Sequence, residues 1–102
     1  MSAIVYTVTA TLPDRPTAER YVDWLRDGHI DAVVAAGAHS AMIVRVTDPP
    51  DPIRVETRYV FPTREAFDDY LAYHAPALRA DGAKRFGPET GVRFVRTVGE
   101  AV

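Results

Sequence analysis

A pattern of residue types that occurs twice constrains the fold of this chain more than any other feature. The first copy consists of Thr17, Glu19, Tyr21, Asp23, Trp24 and Leu25. The second copy consists of Thr63, Glu65, Phe67, Asp69, Tyr70 and Leu71. Each copy has helical spacing and lies between two strand-like stretches, so the repeat predicts two βαβ halves.

Four strands and two helices complete these halves. Alternating residues predict strands over 4–12 and 53–61, and apolar runs bounded by turn residues predict strands over 40–46 and 92–98. The helices are expected to start at N-caps Thr17 and Thr63 and to end before Gly37 and Gly87. Pro76 predicts a kink or split of the second helix near His74, because proline lacks the amide hydrogen that a continuous helix needs.

The order βαββαβ predicts an α+β, ferredoxin-like fold. Right-handed crossovers place both helices on one face of a four-stranded antiparallel sheet. The 102 residues fit one domain, residues 1–102. The second strand carries Ile43 on one side and Met42 and Val44 on the other, so the open face of the sheet also needs a cover. We predict a homodimer with its sheets face to face. The alternative is that long side chains such as Arg54, Arg58 and Arg96 shield that face.

Composition excludes several classes of protein. The chain has no cysteine, so disulfides and thiolate chemistry are absent. Its net charge of -2 gives no basic field for nucleic acid or acidic membranes. It has neither a long apolar run nor a basic leader, and we expect a cytoplasmic protein. No phosphate loop, dinucleotide fingerprint or zinc-type histidine spacing occurs, so no cofactor and no metal site are predicted.

Two histidines are the candidate catalytic residues. At about 100° per residue, His29 and His74 each fall on the apolar stripe of their helix, and we expect both to face the sheet. Gly28 precedes His29 and is a candidate position for a local bulge that absorbs one extra residue. Burial would keep each imidazole neutral, able to donate one hydrogen bond and accept another. The alternative is that each imidazole bonds only to a backbone carbonyl.

Aromatic and basic residues are expected in the same layer. The candidate ligand-binding residues are Tyr6, Trp24, Tyr59, Tyr70 and Arg79. An aromatic pocket with a few polar groups is the usual form of a small-molecule site, and a histidine there is suited to general acid–base chemistry. We therefore interpret the chain as a small-molecule-binding protein. A non-catalytic ligand-sensing or interaction module is the alternative, and an open cavity distinguishes the two.

Two motifs resemble a family of small bacterial proteins of unknown function. The first comprises Trp24-Leu25, His29-Ile30, Val33-Val34 and Gly37, and the second comprises Tyr70-Leu71, His74-Ala75-Pro76, Leu78-Arg79, Phe86-Gly87 and Arg96. The resemblance implies a dimeric α+β barrel. Antibiotic-biosynthesis monooxygenases, muconolactone isomerase-like proteins and haem-degrading oxygenases share that architecture, which by analogy points to a cofactor-independent oxygenase or isomerase.

The haem-degrading relatives resemble this chain in having a histidine on the second helix. By that analogy His74 would be an axial haem ligand. Strand one departs from their pattern, because it offers Thr7 and Thr9 where those enzymes use asparagine.

Overall fold

The computed structural model describes residues 2–102 and has the predicted βαββαβ order, with both helical segments broken into two. The strands are β1 (Ile4–Leu12), β2 (Ser40–Arg45), β3 (Ile53–Phe61) and β4 (Arg93–Glu100). The helices are α1 (Arg15–Trp24), α2 (Ile30–Ala35), α3 (Arg64–Tyr73) and α4 (Ala75–Arg85). A kinked turn, Leu25–His29, joins α1 to α2, and a 3-10 turn, Pro88–Thr90, precedes β4.

The four strands form one antiparallel sheet in the order β2-β3-β1-β4. Tyr6 on β1 lies opposite Tyr59 on β3 and Val98 on β4, so these residues share the face that the helices cover. Alternate residues such as Thr7 and Arg58 occupy the other face. The ferredoxin-like fold expected from the sequence is therefore confirmed.

The start of α1 differs from the sequence-based expectation. Asp14, not Thr17, is the N-cap: its carboxylate accepts a hydrogen bond from the Thr17 amide at 2.8 Å. Pro16 explains the earlier start, because proline is favoured in the first turn of a helix, where its missing amide hydrogen has no helical partner. The prediction for the other helix is confirmed, since the Thr63 hydroxyl accepts from the Ala66 amide at 3.1 Å.

Both helical breaks occur where the sequence indicated them, but they differ in form. Gly28 has a φ of 107°, a conformation that glycine adopts without strain, and it lies inside the kinked turn between α1 and α2. The second break is at His74, whose φ of -125° ends α3 before α4 begins. Pro76 lies in the first turn of α4, where it does not interrupt a hydrogen bond.

Two clusters of buried side chains form the core between helices and sheet. One contains Tyr6, Tyr59 and Tyr70, together with smaller apolar residues. The other contains Tyr21 and Phe86. Both clusters contribute to the wall of one cavity that is partly open to solvent, so the core is not solidly packed around these residues.

No helix covers the other face of the sheet in residues 2–102. Met42 on β2 and Val95 on β4 point to this open face, and their exposed fractions are 59% and 62%. Arg58 also lies on it and forms an ion pair with Glu56 at 3.1 Å. In the described part of the chain, no helix has the length and apolar character needed to span a bilayer.

Candidate ligand-binding and catalytic site

A cavity of about 420 Å³ lies between α1, α4 and the sheet. Its size is within the usual range for small-ligand sites. Seven aromatic side chains line it: Tyr6, Tyr21, Trp24, Tyr59, Tyr70, Phe86 and Phe94. The rings pack with mixed geometry, from the stacked pair Tyr6–Tyr59 to the edge-on pair Tyr21–Phe86. A flat ligand would therefore meet both ring faces and ring edges.

The structure brings six of the seven predicted site residues to this cavity. They are Tyr6, Trp24, His29, Tyr59, Tyr70 and Arg79. They come from β1, the α1–α2 segment, β3, α3 and α4, so the fold joins distant parts of the sequence into one wall. Their roles in binding stay predictions.

The expectation that His74 faces the sheet is wrong. His74 is exposed and does not line the cavity. Because α3 ends at Tyr73 and the chain turns before α4, the helical count of about 100° per residue does not carry through to this position. His74 therefore has no place in this pocket, either as a catalytic group or as a haem ligand.

His29 is turned into the layer between helices and sheet by the kinked turn that contains Gly28. Its imidazole stacks on the Trp24 indole with ring centroids 4.1 Å apart and an interplanar angle of 24°. Its Nδ1 atom is buried and has no hydrogen-bond partner in the described part of the chain. Burial lowers the pKa of His29, and the nearby Asp81 carboxylate opposes this. His29 is therefore neutral at pH 7, and because its Nδ1 is closed to solvent, a ligand in the cavity would reach its other ring nitrogen, Nε2.

Arg79 reaches back from α4 to the sheet. Its Nη2 donates a hydrogen bond to the hydroxyl oxygen of Tyr6 at 3.1 Å. Because the Tyr6 oxygen accepts this bond, its own hydrogen remains available for donation. Burial raises the pKa of Tyr70 to about 12, although the guanidinium groups of Arg79 and Arg96 act against it. Burial likewise raises the pKa of Tyr59. These phenols are therefore protonated hydrogen-bond donors at neutral pH.

Sequence reasoning missed several residues of the wall. Phe94 and Arg96 lie on the helix-covered side of β4, because they pair with Ala10 and Val8 of β1. One alternative prediction was that Arg96 shields the open face of the sheet. It is wrong for Arg96, which lies on the helix-covered face. The alternation of Phe94, Arg96 and Val98 was the available signal, but the register needed to choose a face comes only from the folded sheet.

Gly82 on α4 is a further missed residue. A Cβ atom at this position would lie 3.3 Å from the edge of the Trp24 indole. Glycine here lets α4 approach the aromatic wall closely. Within residues 2–102, no group of three or more metal-ligating side chains comes together.

Solved structures with the same fold include proteins with and without a described activity. The chain is similar to a dimeric ferredoxin-like protein from an uncultured marine organism, with a TM-score of 0.77 and 16% identity over 100% of this chain and 97% of that one. It is similar to SnoaB, a cofactor-independent oxygenase from Streptomyces nogalater, with a TM-score of 0.69 and 14% identity over 100% and 95% of the two chains.

A third similar structure is an ethyl tert-butyl ether d (ethd) family protein from Bacillus halodurans, with a TM-score of 0.71 and 11% identity over 100% of both chains. At these identities the likeness is one of fold. No curated protein matches the sequence. The chain belongs to the family described as Domain of unknown function (DUF4286), which matches residues 3–100.

Proposed function

We propose that this protein is a homodimer of one-domain subunits that binds a small aromatic molecule in the cavity, and that His29 removes a proton from it. The reaction class is a cofactor-independent oxygenation or isomerisation. One observation carries the proposal: an aromatic cavity of about 420 Å³ is lined by the half-buried imidazole of His29, which stacks on Trp24.

The lining residues suit proton abstraction from a carbon beside a carbonyl group. Neutral His29 accepts the proton, and the electron pair of the broken C–H bond moves onto the carbonyl oxygen, forming an enolate. Donors such as the Tyr6 hydroxyl and the Arg79 guanidinium stabilise negative charge on that oxygen. In an isomerase the proton returns to another carbon. In an oxygenase the enolate carbon bonds to O₂, and the peroxide formed takes up the proton from His29. The O–O bond then breaks, and the outer OH leaves as water with the remaining hydrogen of that carbon, which becomes a carbonyl. The cofactor-independent oxygenase SnoaB shares the fold, which supports this reaction class.

The test of catalysis uses 2-indanone, a flat aromatic ketone with acidic hydrogens beside its carbonyl. In D₂O we expect the protein to accelerate exchange of these hydrogens for deuterium, followed by NMR. His29→Gln should reduce the catalysed rate by about 10²-fold or more, the usual contribution of a general base. His74→Gln is the matched control and should exchange at the wild-type rate. Equal rates with and without protein, or an unchanged rate in His29→Gln, would contradict the catalytic role.

A non-catalytic ligand sensor is the second candidate function. It is favoured by the exposure of His74, which leaves His29 as the histidine of the cavity wall. In the same experiment a sensor would bind 2-indanone, shifting the imidazole signals of His29, without accelerating exchange.

Oxygen uptake during exchange separates an oxygenase from an isomerase.

The proposal of a homodimer rests on the open face of the sheet. Met42 and Val95 are large apolar side chains left exposed on it, and a similar structure is a dimeric ferredoxin-like protein. A second copy of the same face would cover both residues. We expect light scattering at micromolar concentration to give twice the mass of the chain and Val95→Lys to lower it. A monomeric mass for the wild-type protein would overturn the dimer.

A further inference from the structure

The charged groups of the cavity are all of one sign. Its lining residues include the guanidinium groups of Arg79 and Arg96 and no aspartate or glutamate. The chain as a whole has a net charge of -2, so this is a local concentration of positive charge in an acidic protein. Apolar walls focus the field of such charges into a cleft, which attracts an anion.

Arg79 has hydrogen-bonding capacity that the protein does not use. One of its nitrogens donates to Tyr6, and the others have no acceptor in residues 2–102. Nor does it form an ion pair there, unlike Arg45, Arg58 and Arg64. A guanidinium presents its donors in a planar fork that matches the oxygens of an anionic group.

Arg96 approaches the same region from the opposite side, on β4. Its guanidinium lies over the Phe94 ring at 5.5 Å and has no carboxylate partner in the described part of the chain. Both Arg79 and Arg96 act on the Tyr70 hydroxyl, where each lowers the pKa that burial raises. The two positive charges therefore lie along the wall of the same cavity.

We infer that the ligand of this cavity is an aromatic anion: a flat ring system with a carboxylate, sulfonate or phenolate group that Arg79, Arg96 and the Tyr6 hydroxyl bind. The inference rests on the proposed function, because it names the ligand class of the same cavity. The aromatic rings contact the body of the ligand, and the two guanidinium groups select its charge. Arg79 and Arg96 are both exposed to solvent at the cavity wall, so a neutral aromatic molecule that fits the same walls leaves both guanidinium groups to water and gains nothing from them.

A matched pair of fluorescent probes tests the charge preference. 8-Anilinonaphthalene-1-sulfonate is an anion, and N-phenyl-1-naphthylamine has the same ring system without the sulfonate. Trp24 is the single tryptophan of the chain, so loss of its fluorescence reports binding of either probe, and the Gly82→Leu variant below tests whether that binding is in the cavity. We expect the anion to bind about tenfold more tightly than the neutral probe, because hydrogen bonds to charged groups contribute that much.

Variants assign the preference to the two arginines. Arg79→Gln and Arg96→Gln should each weaken binding of the sulfonate probe by about threefold, together the tenfold preference, and change binding of the neutral probe by less than about twofold. Arg79→Lys keeps the charge and should retain part of the preference. Arg64→Gln removes the same charge from an exposed position on α3 and should alter neither probe. Gly82→Leu places a side chain against Trp24 and should weaken both probes.

The outcomes separate the two proposals. Equal affinity for the two probes, or an unchanged ratio in both arginine variants, overturns the aromatic anion and leaves ligand binding in the cavity intact. Failure of both probes to change Trp24 fluorescence overturns ligand binding itself. Unchanged affinities in a folded Gly82→Leu protein would place the probes outside the cavity and overturn both.

Discussion

The two helical segments begin from the same repeated pattern and end with their histidines in opposite environments. In the first segment the chain kinks at Gly28 without a wide turn, and His29 stacks on Trp24 inside the protein. In the second segment α3 stops, His74 forms the junction, and α4 starts in a new direction. Position on an apolar stripe therefore does not decide whether a histidine is buried. What decides is how the helix is interrupted, just before His29 in the first segment and at His74 in the second.

The first prediction concerns the two interruptions themselves. Gly28→Ala should lower the free energy of unfolding by about 1–2 kcal/mol, because a side chain at positive φ is strained even where space is available. Nothing lies within 4 Å of the added Cβ, so the loss would be a backbone effect. Pro76→Ala should change stability by less than about 1 kcal/mol, since proline is tolerated in the first turn of α4. Urea unfolding measures both, and equal losses would remove the distinction between the breaks.

The second prediction concerns the caps at which the two segments start. Thr63→Ala should lower the free energy of unfolding by about 1 kcal/mol at any pH, because it removes the hydrogen bond to the Ala66 amide. Asp14→Ala should destabilise the protein only where Asp14 is ionised. Hydrogen bonds from Thr17 lower the pKa of Asp14 below its ordinary 3.8, so its stabilising effect is present above pH 3.8 and is lost as the pH falls through the folded-state pKa.

Urea unfolding of both cap variants at pH 6 and at pH 3 or below checks this contrast. The difference between wild type and Asp14→Ala should shrink in acid, while the difference between wild type and Thr63→Ala should not. A pH-independent loss in Asp14→Ala would mean that the charge of the cap is unimportant.

The smallest expected effect is the pH dependence of stability that burial of His29 produces. Burial lowers the pKa of His29 below its ordinary 6.5. Below pH 6.5 the unfolded chain binds a proton at this position that the folded chain does not, so stability should fall as the pH drops from 6.5 to the folded-state pKa. His29→Gln should reduce this slope. NMR titration of the imidazole signals measures the pKa directly, and a midpoint for His29 at or above 6.5 would contradict its burial.

Much of the fold followed from local patterns in the sequence. Alternation, proline and glycine positions and the repeat gave the order of elements, the sheet and both helical breaks, because these depend on near neighbours along the chain. Helical spacing also predicted that His29 faces this layer, and Trp24 was expected there as an aromatic neighbour. His74 did not, because Pro76 starts a new helix and periodicity cannot describe the direction in which it leaves.

The remaining wall residues depend on contacts between distant segments. Arg96 faces the cavity only because of the register between β4 and β1, and Gly82 matters only because α4 approaches Trp24. Neither the register nor that approach is encoded in the residues immediately around these positions. Sequence patterns therefore predicted His29 and most aromatic residues of the cavity wall, but not the positions of Arg96 and Gly82.

The position of β4 at one end of the sheet affects the stability of the cavity wall that it contributes. β4 is hydrogen-bonded only to β1, whereas β1 and β3 each have two neighbours. An end strand separates from a sheet at a lower free energy than a central strand, so we expect the amides of β4 to exchange with solvent sooner than those of β3. Phe94 and Arg96 lie on β4, so transient separation of this strand from β1 would remove both from the cavity wall. The tyrosines on β1, β3 and α3 would stay in place.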